Sequence, residues 1–249
     1  MKNTSNKKAS DKLIFALDTK NYEDALSWVE MLSGHVGMFK VGKELFTAVG
    51  PKIIESIKQR GQCVFLDLKF HDIPNTVARA AEAAVKLNVD MFNIHAAGGS
   101  KMMRETVSAV GAYADKLGKP RPVILAVTVL TSLDSADLAE IGYEKSANEL
   151  VMHLAKLAQA AGVTGVVASP QDINVLRKNL GDTFVIVAPG IRAAGDINKD
   201  DQKRTLSAYE AMKSGADYIV VGRPIRAAKE PLKECHKFVE EIAAGLAEK

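Results

Sequence analysis

Short, nearly continuous apolar runs alternate along the chain with longer segments in which apolar residues recur every three or four positions. The runs cover residues 13–17, 38–41, 64–68, 91–94, 123–127, 163–168, 184–187 and 218–221. They are rich in Val, Ile and Phe, the pattern of parallel strands covered on both faces. The intervening segments predict helices over 22–32, 44–60, 76–87, 101–117, 146–161, 172–180, 206–214 and 232–246. In the first of these Ala25, Leu26 and Val29 share a face, and in the fifth Leu150, Val151, Leu154, Leu157 and Ala158 do. Gly50-Pro51 should break or kink the second. Glycine or asparagine follows several helices at the C-cap position, as at Gly34, Gly61, Asn88, Gly118, Gly162 and Gly215.

Eight strands, each followed by a helix, within 249 residues predict a single-domain α/β protein, a (β/α)8 TIM barrel. An open doubly wound sheet would usually carry a Gly-rich turn after its first strand, but Asp18-Thr19-Lys20-Asn21 holds no glycine. No proline- or serine-rich linker divides the chain. The expected layout is a frayed polar tail over 1–12 and one catalytic barrel over 13–249.

Composition narrows the partners. The 33 basic and 30 acidic residues nearly balance, and no basic cluster of the kind that binds nucleic acid or an anionic membrane stands out. No apolar run reaches membrane-spanning length, and no apolar segment of signal-peptide type follows the polar start. A soluble, cytoplasmic protein is expected. Cys63 and Cys235 form no disulfide framework or metal knuckle and read as free thiols.

A barrel gathers its chemistry at the C-terminal ends of its strands. Here those ends carry Asp18; Lys40; Asp67 and Lys69; Asn93 and His95; Thr128, Thr131 and Ser132; Ser169 and Gln171; Pro189, Gly190 and Arg192; and Gly222 and Arg223. The densest group is DLKFHDIPNT at 67–76, where Asp67 and Lys69, two apart on a strand, should project together into one cavity. Asp72 follows in the turn, and Pro74 suits the first turn of the next helix. After the last two strands, Gly222 would let backbone N–H groups approach an anion and Arg223 supplies a bidentate fork, an arrangement suited to phosphate. The loop 190–204, with Arg192, Gln202, Lys203 and Arg204, has the length of a lid or binding loop. His71 and His95 lack a clear third metal partner and read as structural, and Met102-Met103 as core or interface packing.

With FALD at 15–18, FKVG at 39–42, TVLTS at 128–132, APGIR at 188–192 and VVGRPI at 220–225, the 67–76 segment resembles the orotidine 5′-phosphate decarboxylase family in its shorter, monofunctional bacterial form. The resemblance implies decarboxylation of orotidine 5′-phosphate to UMP, the last step of de novo pyrimidine synthesis, with no cofactor and no metal. It implies a charge network of Lys40, Asp67, Lys69 and Asp72 at the reacting carbon. Asp18 and Lys40 would hold ribose hydroxyls, Thr131 the pyrimidine, and Arg192, Gln202, Gly222 and Arg223 the phosphate, with Pro189 also at the substrate. It further implies a homodimer with shared sites, Asp72 and Thr76 coming from the partner subunit. The alternatives are a metal-dependent sugar-phosphate enzyme of the same barrel group, akin to 3-keto-gulonate-6-phosphate decarboxylase or hexulose-phosphate synthase, and a barrel that only binds a phosphoribosyl ligand.

Overall fold

A computed structural model describes residues 9–192 and 206–249. Its strands are β1 (Leu13–Ala16), β2 (Met38–Gly42), β3 (Val64–Phe70), β4 (Met91–His95), β5 (Val123–Val127), β6 (Gly165–Val167), β7 (Val185–Ala188) and β8 (Tyr218–Val221). Each pairs in parallel with the next, and β8 closes on β1 through Leu13 opposite Ile219. The result is a closed eight-stranded barrel of the (β/α)8 class.

Burial divides the core in two. One apolar cluster lies between the strands and the surrounding helices and includes Leu13, Phe15, Phe39, Leu66 and Phe92. The other joins Ile14, Met38, Phe65, Met91, Leu125 and Val187. Side chains alternate across a strand, so the residue two positions beyond each inner apolar one faces the same way. Thus Ala16 follows Ile14, Lys40 follows Met38, Asp67 follows Phe65 and Asn93 follows Met91, and all four line the cavity at the barrel's mouth. The apolar plug beneath them is what places charges at that end.

Helices lie close to their expected places, from Tyr22–Leu32 to Pro231–Ala247. Gly50, with φ 73°, separates Lys43–Val49 from Lys52–Gln59, so the proline-marked segment is two helices. A short helix, Ser135–Glu140, has no apolar stripe long enough to announce it; a reciprocal capping box between Asp134 and Asp137 starts it. Met102 and Met103 are fully buried in the core. The packed body also extends further back than residue 13. Ala9 is fully buried and the N–H of Lys12 donates to its carbonyl, so the tail expected over 1–12 is ordered by core packing from residue 9.

At the opposite end from the cavity, Arg177 ties the starts of β7 and β8 together. Its guanidinium donates to the carbonyls of Gly181, Phe184 and Gly215 and to Asp217 Oδ2, which also accepts from the N–H of Ile186. These two strands carry Arg192 and Arg223 just beyond their other ends.

Candidate active site

The cavity has a volume of about 260 Å³ and is lined by residues from all eight strands or the turns after them. On one side stands an alternating row of charges. Lys40 Nζ lies 3.4 Å from Asp18 Oδ1 and 3.2 Å from Asp67 Oδ2, and Lys69 Nζ donates to Asp67 Oδ1 at 2.5 Å. Burial by itself pushes the Lys40 ammonium down, but Asp67 and Asp18 outweigh it and hold the pKa above the ordinary lysine value. Burial likewise pushes the Asp67 carboxyl up, and Lys40, Lys69 and a hydrogen bond from Asn93 bring it below the ordinary carboxylate value.

The sign of each shift fixes where this pair stabilises the fold. Asp67, depressed, contributes above its unfolded pKa and loses that contribution as pH falls through its folded value. Lys40, raised, contributes below its unfolded pKa and loses it as pH rises through its folded value. The buried pair is therefore ionised and mutually stabilising throughout neutral pH.

The local backbone differs from the simple strand expected for 67–69. Leu66 pairs with Phe92 and Phe70 with Ile94, so Asp67, Leu68 and Lys69 together face Asn93 alone. Lys69 has φ 53°, a left-handed conformation that few non-glycine residues adopt. Asp67 and Lys69 do both line the cavity, but a bulge, and not the two-residue strand period, brings Lys69 there. Within the bulge Asn93 is buried and bonded on both sides: its Nδ2 donates to Asp67 Oδ1 at 2.7 Å, and its Oδ1 accepts the Lys69 N–H at 2.8 Å. Sequence reading placed Asn93 at a strand end and gave it no role. The signal was available, since it is the one polar side chain inside the apolar MFNI run and shares a face with Met91.

Across the cavity the lining changes character. Val127, Val129, Val167 and Ala168 form an apolar wall, with Thr131 at its edge. Pro189, Gly190, Arg192, Gly222 and Arg223, which follow β7 and β8, complete the lining. A Cβ on Gly222 would meet Ala16 Cβ at 3.0 Å and Asp18 Oδ2 at 3.2 Å, so a side chain there would crowd the cavity's rim. Gln202, Lys203 and Arg204 lie outside the described residues, as does most of the loop in which a lid was expected.

Two expected site residues stand apart from this cavity. Asp72 is exposed, its Oδ1 accepting the Ile73 N–H at 2.6 Å, and among the described residues it makes no ion pair with Lys69. Thr76 is exposed on the first turns of the helix Pro74–Lys86, and Ile73 between them is 67% exposed. His71 and His95 lie with ring centroids 5.2 Å apart; burial first, then the charges of His71, Lys43 and Lys69, lower the His95 pKa to about 4, so it is neutral at pH 7. Among the described residues no three His, Cys, Asp or Glu side chains are grouped to hold a metal, and no helix is long and apolar enough to cross a membrane.

The family model for orotidine 5′-phosphate decarboxylase / HUMPS matches residues 11–238. The chain is 55% identical over 247 residues to an orotidine 5′-phosphate decarboxylase of Syntrophus aciditrophicus (strain SB), covering 99% of this chain and 98% of that protein. It is 50% identical over 237 residues to one of Geobacter sp. (strain M21), covering 95% and 98% respectively. A crystal structure of orotidine 5′-phosphate decarboxylase from Lactobacillus acidophilus matches the fold with a TM-score of 0.81 at 37% identity, over 92% of this chain and 98% of that one. The resemblance first carried by the 67–76 segment and its companion motifs thus spans nearly the whole sequence, and the chain belongs to the orotidine 5′-phosphate decarboxylase / HUMPS family.

Proposed function

We propose that the chain decarboxylates orotidine 5′-phosphate to UMP. The observation that carries this reading is the row Asp18–Lys40–Asp67–Lys69 along one side of a cavity that Arg192 and Arg223 also line. The row suits a reacting centre that becomes negative, and the two arginines suit a phosphate.

Loss of carbon dioxide from C6 of orotate leaves an electron pair in an sp2 orbital that the ring cannot delocalise well. The C6–carboxylate bond breaks and carbon dioxide departs while the pair stays on C6. The Lys69 ammonium lowers the energy of that pair and donates its proton to form the C6–H bond; neutral Lys69 then regains a proton from solvent. Asp67 keeps Lys69 charged and aimed, and Lys40 keeps Asp67 anionic. Asp67 also crowds the substrate carboxylate, a smaller contribution than preorganised charge. No cofactor or metal takes part in this scheme.

Asp18 and Lys40 hold ribose hydroxyls, Thr131 meets the pyrimidine beside the valine wall, and Pro189 packs against the substrate. Arg192, Arg223, the Gly222 backbone and Gln202 grip the phosphate. The active form is a homodimer in which the partner subunit's Asp72 completes each charge network and, with the partner subunit's Thr76, helps to hold the ribose hydroxyls. The support is that Asp72, Ile73 and Thr76 are exposed and none lines the cavity of its own chain.

Incubating the purified protein with orotidine 5′-phosphate and excess EDTA, while following loss of orotate absorbance, tests the reading. Undiminished turnover supports it. No turnover of orotidine 5′-phosphate, together with EDTA-sensitive turnover of a keto-sugar phosphate, points to the metal-dependent sugar-phosphate branch, and nucleotide binding without turnover of either points to a ligand-binding barrel. Binding energy from the remote phosphate should also appear in the rate. Arg223→Ala should therefore lower kcat as well as raise KM, with kcat/KM falling about 100-fold or more. A change in KM alone would show that phosphate contacts serve affinity only.

A further inference from the structure

The bulge in β3 leaves Lys69 without a regular main-chain partner on β4, and a side chain takes that partner's place. Ladder pairing resumes only at Phe70 with Ile94, and Asn93 Oδ1 accepts the Lys69 N–H at 2.8 Å within the gap. The same amide donates through Nδ2 to Asp67 Oδ1 at 2.7 Å, the oxygen that also accepts from Lys69 Nζ. One buried amide therefore holds the backbone of the lysine and the carboxylate that aims its ammonium. We infer that Asn93 is a positioning residue for Lys69, clamping its left-handed backbone and orienting Asp67 so that the ammonium points into the cavity.

Three features separate this role from ordinary filling of a core position. Asn93 is 1% exposed, so water cannot readily substitute for its bonds. The left-handed conformation of Lys69 is costly for a side chain with a Cβ and persists only where surrounding bonds enforce it. Nδ2 and Oδ1 are used for different tasks, so isosteric replacement can remove one bond and keep the other. Asn93→Asp preserves volume and an acceptor for the Lys69 N–H, but faces Asp67 with a second carboxylate that donates only when protonated. Asn93→Ala removes both bonds.

The inference deepens the decarboxylase reading and rests on it for its kinetic test. Misplacement of a reacting group by about an ångström costs on the order of 100-fold in rate. Asn93→Ala should lower kcat about 100-fold, with KM within about threefold of wild type, since Asn93 acts on the reacting lysine. Loss of a donor to Asp67 should also move the acidic limb of the kcat–pH profile to higher pH. For Asn93→Asp, kcat should instead recover as pH falls and the new carboxyl gains a proton. Folded variants with wild-type kcat and pH profile, or with a change confined to KM, overturn the inference. So does failure of both variants to fold, which would give Asn93 a folding role only. A crystal structure supplies a readout independent of substrate. Asn93→Ala should release Lys69 from its left-handed conformation or its bond to Asp67, and a variant retaining both overturns the inference whatever the enzyme acts on. Inactivity of the wild type toward orotidine 5′-phosphate would instead sink the functional reading and leave this structural test standing.

Discussion

Lys69→Ala should abolish decarboxylation while leaving nucleotide binding in place. A single general acid contributes about 10²–10⁴-fold, and a preorganised charge at the reacting centre about 10²–10³-fold more. Lys69 serves as both, so kcat should fall by at least about 10⁴-fold. Lys69 is on β3, four strands round the closed barrel from β7 and three from β8, the strands that precede Arg192 and Arg223, so the Kd for UMP, measured by calorimetry, should stay within about tenfold. Part of any change will come from Asp67, which loses its 2.5 Å partner and retains Lys40 and Asn93. A variant that keeps more than about a hundredth of wild-type turnover would remove Lys69 from the chemical step.

The second large effect concerns subunits. Asp72→Ala and Lys69→Ala proteins should each be nearly inactive, yet mixing them should restore turnover. A heterodimer has one site with both residues replaced and one with an intact Lys69 facing an intact Asp72. Random exchange at equal concentrations makes half the dimers mixed, so about a quarter of wild-type activity should return. Tagging the two chains differently and isolating the heterodimer raises the expected value to about half per dimer. Isolated heterodimers no more active than their parents would place Asp72 outside the shared site. The location of Asp72 makes this test informative, since it is exposed, accepts the Ile73 N–H and, among the described residues, makes no ion pair with its own chain's Lys69.

The barrel was legible because covering parallel strands on both faces demands nearly continuous apolar runs, and those runs recur eight times with helical segments between them. Strand ends then located Asp18, Lys40, Asp67, Lys69, Thr131, Pro189, Arg192, Gly222 and Arg223, all of which line one cavity. What escaped was local. The β3 bulge leaves no trace in polarity, because alternation encodes which face a residue takes and not how its backbone is bent. A glycine at position 69 would have hinted at a positive φ, but a lysine forced into that conformation by its neighbours does not. Asn93 was hidden for a related reason: a single amide in an apolar run has meaning only once its two bonding partners are seen beside it. The capping box at Asp134 and Asp137 was readable in principle, but it opens a helix of only six residues. Asp72 and Thr76 do not line the cavity of their own chain, and the roles proposed for them would need a second subunit, which a single sequence does not display.

The account rests on Lys69 handing its proton to C6, and microscopic reversibility gives a direct way to observe that transfer. An enzyme that protonates a carbanion at C6 must also, more slowly, remove the C6 hydrogen of UMP. Incubation of UMP with the wild-type protein in D2O, followed by proton NMR, should show the C6 hydrogen exchanging for deuterium, and Lys69→Ala under the same conditions should show none above background. Equal exchange rates for the two proteins, each confirmed to bind UMP, would contradict the assignment of Lys69 as the proton donor.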